Sequence, residues 1–142
     1  MKLLSPLSNS PNFQQVRDLV HGNHTAWCAG VIGAQKWHLA AGLLADTQRP
    51  ALIVAPSELK AKEIFADLSY FFRDACCYYP SRDMIFYAAD VRSVDITRQR
   101  LQVVERLLDG GAPPHATDRQ PIIILSAEAL LDRLVPASIF AS

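Results

Sequence analysis

ALIVAPSELKAKEIFADLSYFFR, residues 51–73, combines an apolar run with an amphipathic helical pattern. Its first six residues are apolar throughout and have the length of a strand that is covered on both faces. Ser57 follows as an N-cap, and residues 58–73 form the clearest helical pattern in the chain. The apolar stripe of this helix consists of Ala61, Ile64, Phe65, Leu68, Phe71 and Phe72. A buried strand that turns directly into an amphipathic helix is typical of an α/β domain.

The same alternation extends to both sides of this stretch. Apolar spacing predicts further helices over residues 13–21, 34–46, 93–108 and 127–134, short strands over 25–29, 75–79 and 121–125, and an irregular loop over 80–92. Apolar strands that alternate with helices indicate a parallel sheet with helices on both sides. We therefore predict an α/β fold, a parallel sheet flanked by helices, of the P-loop NTPase or helicase (RecA-like) type.

Composition restricts the function classes. Half of the 142 residues are hydrophobic and a fifth are charged, which is the balance of a single globular domain. Lysine plus arginine and aspartate plus glutamate both number 14, so the formal net charge is zero. A general nucleic-acid binder usually carries a basic excess, and this balance therefore argues against strong DNA binding by this domain alone.

The sequence lacks the marks of secreted, membrane and zinc proteins. Residues 1–12, rich in Ser, Pro and Asn, are predicted to be a flexible lead-in and not a signal peptide. No apolar run approaches the ~20 residues of a membrane span. Cys28, Cys76 and Cys77 lack zinc-site spacing and are expected to be buried, reduced thiols. These features favour a cytoplasmic protein with no membrane contact and no metal.

One motif carries chemistry, GVIGAQKW at residues 30–37, where the predicted strand 25–29 turns into a helix. Nucleotide-binding α/β proteins keep their phosphate loop at this point, with the pattern G-x-x-x-x-G-K-[ST]. Gly30 occupies the first glycine position and Lys36 the lysine position. Gln35 replaces the second glycine, and Trp37 replaces the hydroxyl residue, so the loop is degenerate.

Each replacement weakens nucleotide chemistry. A side chain at Gln35 crowds the backbone around the phosphates, and the indole of Trp37 cannot ligate Mg²⁺ as a hydroxyl does. We therefore predict no ATPase activity and no cofactor for this domain. Two interpretations of the loop stay open. In the favoured one, Gly30 and Gly33 shape a tight turn and Lys36 points to solvent; in the other, the helix N-terminus is a weak anion site.

No other catalytic set emerges from the sequence. The histidines His21, His24, His38 and His115 are scattered and are expected at surface or loop positions. One helix has a basic flank, made of Arg92, Arg98, Arg100 and Arg106. A solvated helix face is the favoured interpretation. Contact with a phosphate backbone or an acidic partner is the alternative, with Arg98 and Arg100 as the candidates.

Several segments together resemble a known family. They are the degenerate loop, ALIVAP at 51–56, DLSYFF at 67–72, YPSRD at 79–83, ITRQRL at 96–101 and IIILSAEALL at 122–131. Their order and spacing resemble the N-terminal region of bacterial transcription-repair coupling factors (Mfd), from about Phe13 onwards. That region is similar in turn to the first domain of the excinuclease subunit UvrB. UvrB keeps an intact phosphate loop and inserts a long aromatic hairpin after the third strand. Here only residues 80–92 lie between that strand and the next predicted helix, and this loop is too short for such a hairpin.

The resemblance implies a role for the chain. Residues 13–142 would form a non-catalytic, UvrB-like domain 1a of a longer multidomain protein. Coupling factors release stalled RNA polymerase with a separate C-terminal motor, an ATP-dependent DNA translocase, and recruit nucleotide excision repair through UvrA. UvrA contacts lie mainly in the following domain, and ATP, Mg²⁺, DNA and RNA polymerase are bound by the full-length protein. The other domains of the same protein are the expected partners of this one, and Arg98 and Arg100 could serve such a contact.

Two alternatives compete with this assignment. The chain could be an ATP-binding helicase-type domain of the UvrB class, which the substitutions at Gln35 and Trp37 oppose. It could also be an unrelated α/β module in which the G-x-x-G turn is a coincidence.

Overall fold

The computed structural model describes residues 4–82, 90–108 and 120–133. They belong to two compact units, Met1–Arg49 and Pro50–Ser142. Within the described residues, no helix has the length and apolar character needed to cross a membrane.

The first unit is helical. A short 3-10 helix, Leu7–Asn9, precedes α1 (Pro11–His21), and α2 spans Ala34–Thr47. Pro11 suits the first turn of α1 because its missing N–H would have no helical partner there. The 3-10 helix, α1 and α2 pack on one another. The predicted helices over 13–21 and 34–46 are thereby confirmed, with α1 starting two residues earlier.

Close packing in this unit depends on Gly42 in α2. A Cβ at Gly42 would lie 2.8 Å from Leu7 Cδ1 and 2.9 Å from Phe13 Cε2, which is closer than van der Waals contact allows. Phe13 is buried at the centre of this contact. The missing side chain therefore lets the 3-10 helix and α1 approach the backbone of α2.

The strand predicted over residues 25–29 is wrong. These residues have no regular secondary structure, and Trp27 is 93% exposed. β-branched and aromatic residues favour a strand only where a neighbouring strand accepts their backbone hydrogen bonds and a core covers one face. Neither condition is met here within the part of the chain that the structure describes.

The second unit contains the sheet. Its elements are β1 (Ala51–Ala55), α3 (Glu58–Phe72), a 3-10 turn (Arg73–Ala75), β2 (Cys76–Tyr79), α4 (Asp90–Leu108), β3 (Ile122–Ser126) and α5 (Ala127–Leu131). The strand order is β1-β3-β2 and both pairings are parallel. α3 packs on all three strands, α4 on β2, and α5 on β1 and β3. The predicted parallel sheet flanked by helices is confirmed.

Burial distinguishes the central strand from the edge strand β1. Every residue of β3 is buried, as an all-apolar strand predicts. In β1, however, Leu52 and Val54 are 56% and 46% exposed, so the expectation that this strand is covered on both faces is wrong. β1 lies at the edge of the described sheet, and its alternate side chains face away from the buried layer.

Serine caps determine where α3 and α5 begin. The N–H of Lys60 donates to Ser57 Oγ over 3.3 Å, and the N–H of Ala129 donates to Ser126 Oγ over 3.1 Å. The Ser57 cap was predicted and is confirmed, and Ser126 caps α5 in the same way. α5 ends at Leu131, short of the predicted residue 134. α4 begins at Asp90, before the predicted residue 93, and most of the predicted loop 80–92 lies outside the described residues.

Candidate functional site

The degenerate loop is a turn at the start of α2. Gly30 has φ +78° and Gly33 has φ +53°, and side chains strongly disfavour both values. Gly33 is the N-cap of α2, and no side chain caps the helix there. The N–H of Gln35 donates to Ile32 O over 3.2 Å, and the N–H of Lys36 donates to Gly33 O over 3.3 Å. The glycines therefore support a tight, internally bonded turn.

This geometry bears on the two interpretations of the loop. A phosphate loop presents successive N–H groups to the anion, but the N–H groups of Gln35 and Lys36 already donate to carbonyls of the turn. Both side chains are exposed, and Trp37 is partly buried. The arrangement agrees with the turn interpretation, in which Lys36 points to solvent. Anion binding at this turn stays a prediction.

A second cluster lies at the carboxyl ends of β2 and β3, around Arg100 of α4. Arg100 is 6% exposed. Its Nη1–H donates to Pro80 O over 2.9 Å and to Asp132 Oδ2 over 2.7 Å. The guanidinium carbon lies 4.3 Å from the centroid of the Tyr79 ring. The N–H of Arg82 also donates to Asp132 Oδ2, over 3.1 Å. One buried cation thus connects β2, α4 and the residue that follows α5.

The charges of this cluster stabilise each other. Partial burial raises the pKa of the Asp132 carboxyl, but the hydrogen bonds from Arg82 and Arg100 and the charges of those two arginines outweigh it. The pKa of Asp132 is therefore lowered from its ordinary value, and the carboxylate stays ionised opposite Arg100. This cluster is a structural connection between elements.

The predicted basic flank of α4 does not exist as one face. Arg98 is exposed, Arg100 is buried, and Arg106 is partly buried with its Nη1 3.0 Å from Cys77 Sγ. The solvated-face interpretation is therefore wrong for Arg100 and Arg106. Burial withdraws the Arg100 guanidinium from any partner in this conformation, whereas contact of Arg98 with a partner stays a prediction. The side chain of Arg92 lies outside the described residues.

The inward face of α4 also differs from the prediction. Apolar spacing alone would turn Leu101, Leu107 and Leu108 inward, but they are 47%, 51% and 46% exposed. Val103 is buried with Cys77 and Tyr79 of β2 in the same apolar cluster. Arg100, Val103 and Val104 share one helical face by their spacing, so the inward face of α4 contains a charged residue.

The cysteines and histidines have ordinary surroundings. Cys76 and Cys77 are buried as expected, but Cys28 is exposed, so the prediction is wrong for that residue. Burial raises the pKa of the Cys76 thiol to about 11. Burial likewise raises the pKa of Cys77, against the charge of Arg106. No group of three or more potential metal ligands occurs within residues 4–82, 90–108 and 120–133.

The histidines follow the prediction where the structure describes them. His21 and His24 are exposed and His38 is partly buried. His21 Nε2 lies 2.7 Å from Asp46 Oδ2 at the surface of the first unit. His115 lies outside the described residues.

Comparison with curated proteins identifies a distant relative. Over 132 residues the chain is 24% identical to the transcription-repair-coupling factor of Bacillus subtilis (strain 168). The aligned region covers 92% of this chain and 10% of that protein, so the chain spans about a tenth of its relative's length. No family model and no solved structure matches the chain. The similarity supports, as a distant relation, the resemblance to coupling factors that the motifs indicated.

Proposed function

We propose that the chain is the UvrB-like N-terminal domain of a transcription-repair coupling factor, and that it binds other protein domains without hydrolysing ATP. The similarity to the Bacillus subtilis coupling factor over 92% of the chain carries this proposal. The motifs quoted above occur within that span. A helicase-type (RecA-like) ancestry of the fold belongs to the same proposal, and the three parallel strands flanked by helices are compatible with it.

The turn at residues 30–37 supports the non-catalytic part. Gln35 and Trp37 replace the residues that wrap the phosphates and hold Mg²⁺. The N–H groups of Gln35 and Lys36 are already bonded within the turn. This bonding supports the proposal that the domain does not offer a triphosphate the preorganised donors that its binding requires.

The partners of the domain follow from the family. Within a full-length coupling factor it would pack against the other domains of its own chain in the cytoplasm. UvrA would be recruited mainly through the domain that follows. RNA polymerase, DNA and Mg-ATP would be bound by other parts of the protein.

A thermal titration tests the non-catalytic assignment. We expect the melting temperature of the chain to be the same with and without millimolar Mg-ATP. A nucleotide at a hundredfold its Kd would stabilise the fold by about 2.7 kcal/mol, which raises the melting temperature by several degrees in a domain of this size. Lys36→Ala is the matched control. A magnesium-dependent increase that Lys36→Ala abolishes would favour the UvrB-type nucleotide domain instead.

A domain replacement tests the family assignment. In a bacterial coupling factor whose own N-terminal segment is exchanged for residues 13–142, we expect repair of the transcribed strand to exceed that of a version lacking the segment. The control carries an unrelated α/β domain of similar size. If the coupling factor that carries residues 13–142 and the one that carries the unrelated domain repair the transcribed strand equally, the family assignment is contradicted. The sequence similarity would then be a coincidence.

A further inference from the structure

A cleft of about 350 Å³ opens beside β2, between α3 and α4. Phe65 of α3 and the β2 residues 76–78 form one side. Gln99, Gln102, Val103 and Arg106 of α4 form the other. All of these residues belong to the second unit. The volume is at the lower end of the range of small-molecule pockets, about 300–1,000 Å³.

Arg106 carries unused hydrogen-bonding capacity at this cleft. Its Nη1–H donates to Cys77 Sγ over 3.0 Å. Nε and Nη2 are enclosed and have no hydrogen-bond partner. These two nitrogens lie along one edge of the planar guanidinium, so their N–H groups point in the same direction as a fork. Enclosed donors without an acceptor are unfavourable, and an acceptor that fits the fork removes this cost.

The lining defines the chemistry of that acceptor. A carboxylate matches the fork because its two oxygens are coplanar and accept both N–H groups at once. None of the described residues that line the cleft is acidic, so no carboxylate among them competes for Arg106. The rings of Phe65 and Tyr78, whose centroids lie 5.8 Å apart, provide an apolar surface.

We propose that this cleft binds a small organic carboxylate with an apolar body. The carboxylate oxygens accept from Nε–H and Nη2–H of Arg106, and the apolar body lies against Phe65 and Tyr78. Gln99 and Gln102 line the same cleft and are exposed. Exposed side chains change rotamer within nanoseconds, so these two can adjust to a bound carboxylate at little cost. The site is made only of residues of the second unit and does not depend on the proposed function.

A titration of the 142-residue chain with 3-phenylpropionate tests the site. The Nε–H signals of the arginines are followed by ¹H–¹⁵N NMR, and the Arg106 signal is assigned by its loss in Arg106→Lys. We expect this signal to shift saturably at millimolar probe. Arg106→Lys keeps the charge but loses the fork and the reporting Nε–H signal, so its binding is followed by the backbone amide signals of Gln102 and Val103. It should weaken binding at least about tenfold. Arg98→Lys, an exposed change on the same helix, should bind as the wild type does.

Two further probes distinguish the contribution of the carboxylate charge from that of the apolar body. 3-Phenylpropionamide has the same body without the charge, and inorganic phosphate has the charge without the body; both should bind at least about tenfold more weakly. Equal binding of the amide or of phosphate, unchanged binding by Arg106→Lys, or an unmoved Arg106 signal would overturn the proposal. If Arg106→Lys does not fold, the comparison of the three probes on the wild type decides.

Discussion

Asp132→Asn should destabilise the second unit because it removes the partner of a buried cation. The Arg100 side chain is 7% exposed and that of Asp132 is 26% exposed, with 2.7 Å between Nη1 and Oδ2. The amide of asparagine still accepts hydrogen bonds but has no charge. Arg100 is then held in a low-dielectric site with Pro80 O as its remaining strong acceptor.

The size of the loss follows from the burial of the two groups. Breaking a fully buried ion pair costs about 3–5 kcal/mol. Solvent reaches part of Asp132, so we expect about 2–3 kcal/mol in the free energy of unfolding. For a domain of this size that corresponds to a decrease of roughly 5–10 °C in melting temperature.

The pH dependence follows from the sign of the pKa change. The pKa of Asp132 is lower in the folded state than its ordinary value, which is about 3.9 in an unfolded chain. Its contribution is therefore complete above about pH 5 and is lost as the pH falls through the lower, folded value. The difference between the wild type and Asp132→Asn should shrink over the same interval.

Urea unfolding followed by circular dichroism at 222 nm, at a series of pH values, measures both effects. Asp67→Asn, which removes an exposed carboxylate from α3, is the control and should change the free energy of unfolding by less than about 0.5 kcal/mol. A loss in Asp132→Asn no larger than in this control would refute the buried ion pair. A full loss that persists at pH 2 would refute its electrostatic origin.

Three further outcomes are expected. Gln48 caps α2 in the left-handed region, with φ +50° and ψ +31°. Gln48→Gly should therefore raise the free energy of unfolding by about 0.5–1 kcal/mol, measured by urea titration. A decrease would contradict the cap geometry. Gly42→Ala should lower the free energy of unfolding by about 1–2 kcal/mol, because overpacking outweighs the better helix propensity of alanine. Urea unfolding followed by tryptophan fluorescence measures this change in the first unit. An alkylating reagent at pH 8 should label the exposed Cys28 quickly and the buried Cys76 and Cys77 slowly, and mass spectrometry of the peptides distinguishes them.

Local sequence pattern was sufficient to predict most of the helices and strands of the second unit. The three strands and the long helix α3 appear where apolar runs and helical spacing predicted them, and Ser57 and Ser126 cap the following helices. These features depend on residues that are near one another in the chain. Their energetics are therefore visible in a short window of sequence.

Local sequence pattern gave wrong predictions where the structure depends on residues that are distant in the sequence. Residues 25–29 have strand-forming composition, but no strand pairs with them among the described residues. Leu52 and Val54 belong to an apolar strand, but the strand lies at the edge of the described sheet. Residues with strand propensity form a buried strand only where a neighbouring strand pairs with them and a core covers their side chains.

Residue pattern alone indicates the alternation of strands and helices, the parallel character of the sheet, and the departure of residues 30–37 from the phosphate-loop pattern at Gln35 and Trp37. Which face of α4 turns inward depends on contacts that form only in the folded chain. A charged side chain is buried only when a partner compensates its desolvation. For Arg100 that partner is Asp132, 32 residues away in sequence, and no local pattern contains this pairing.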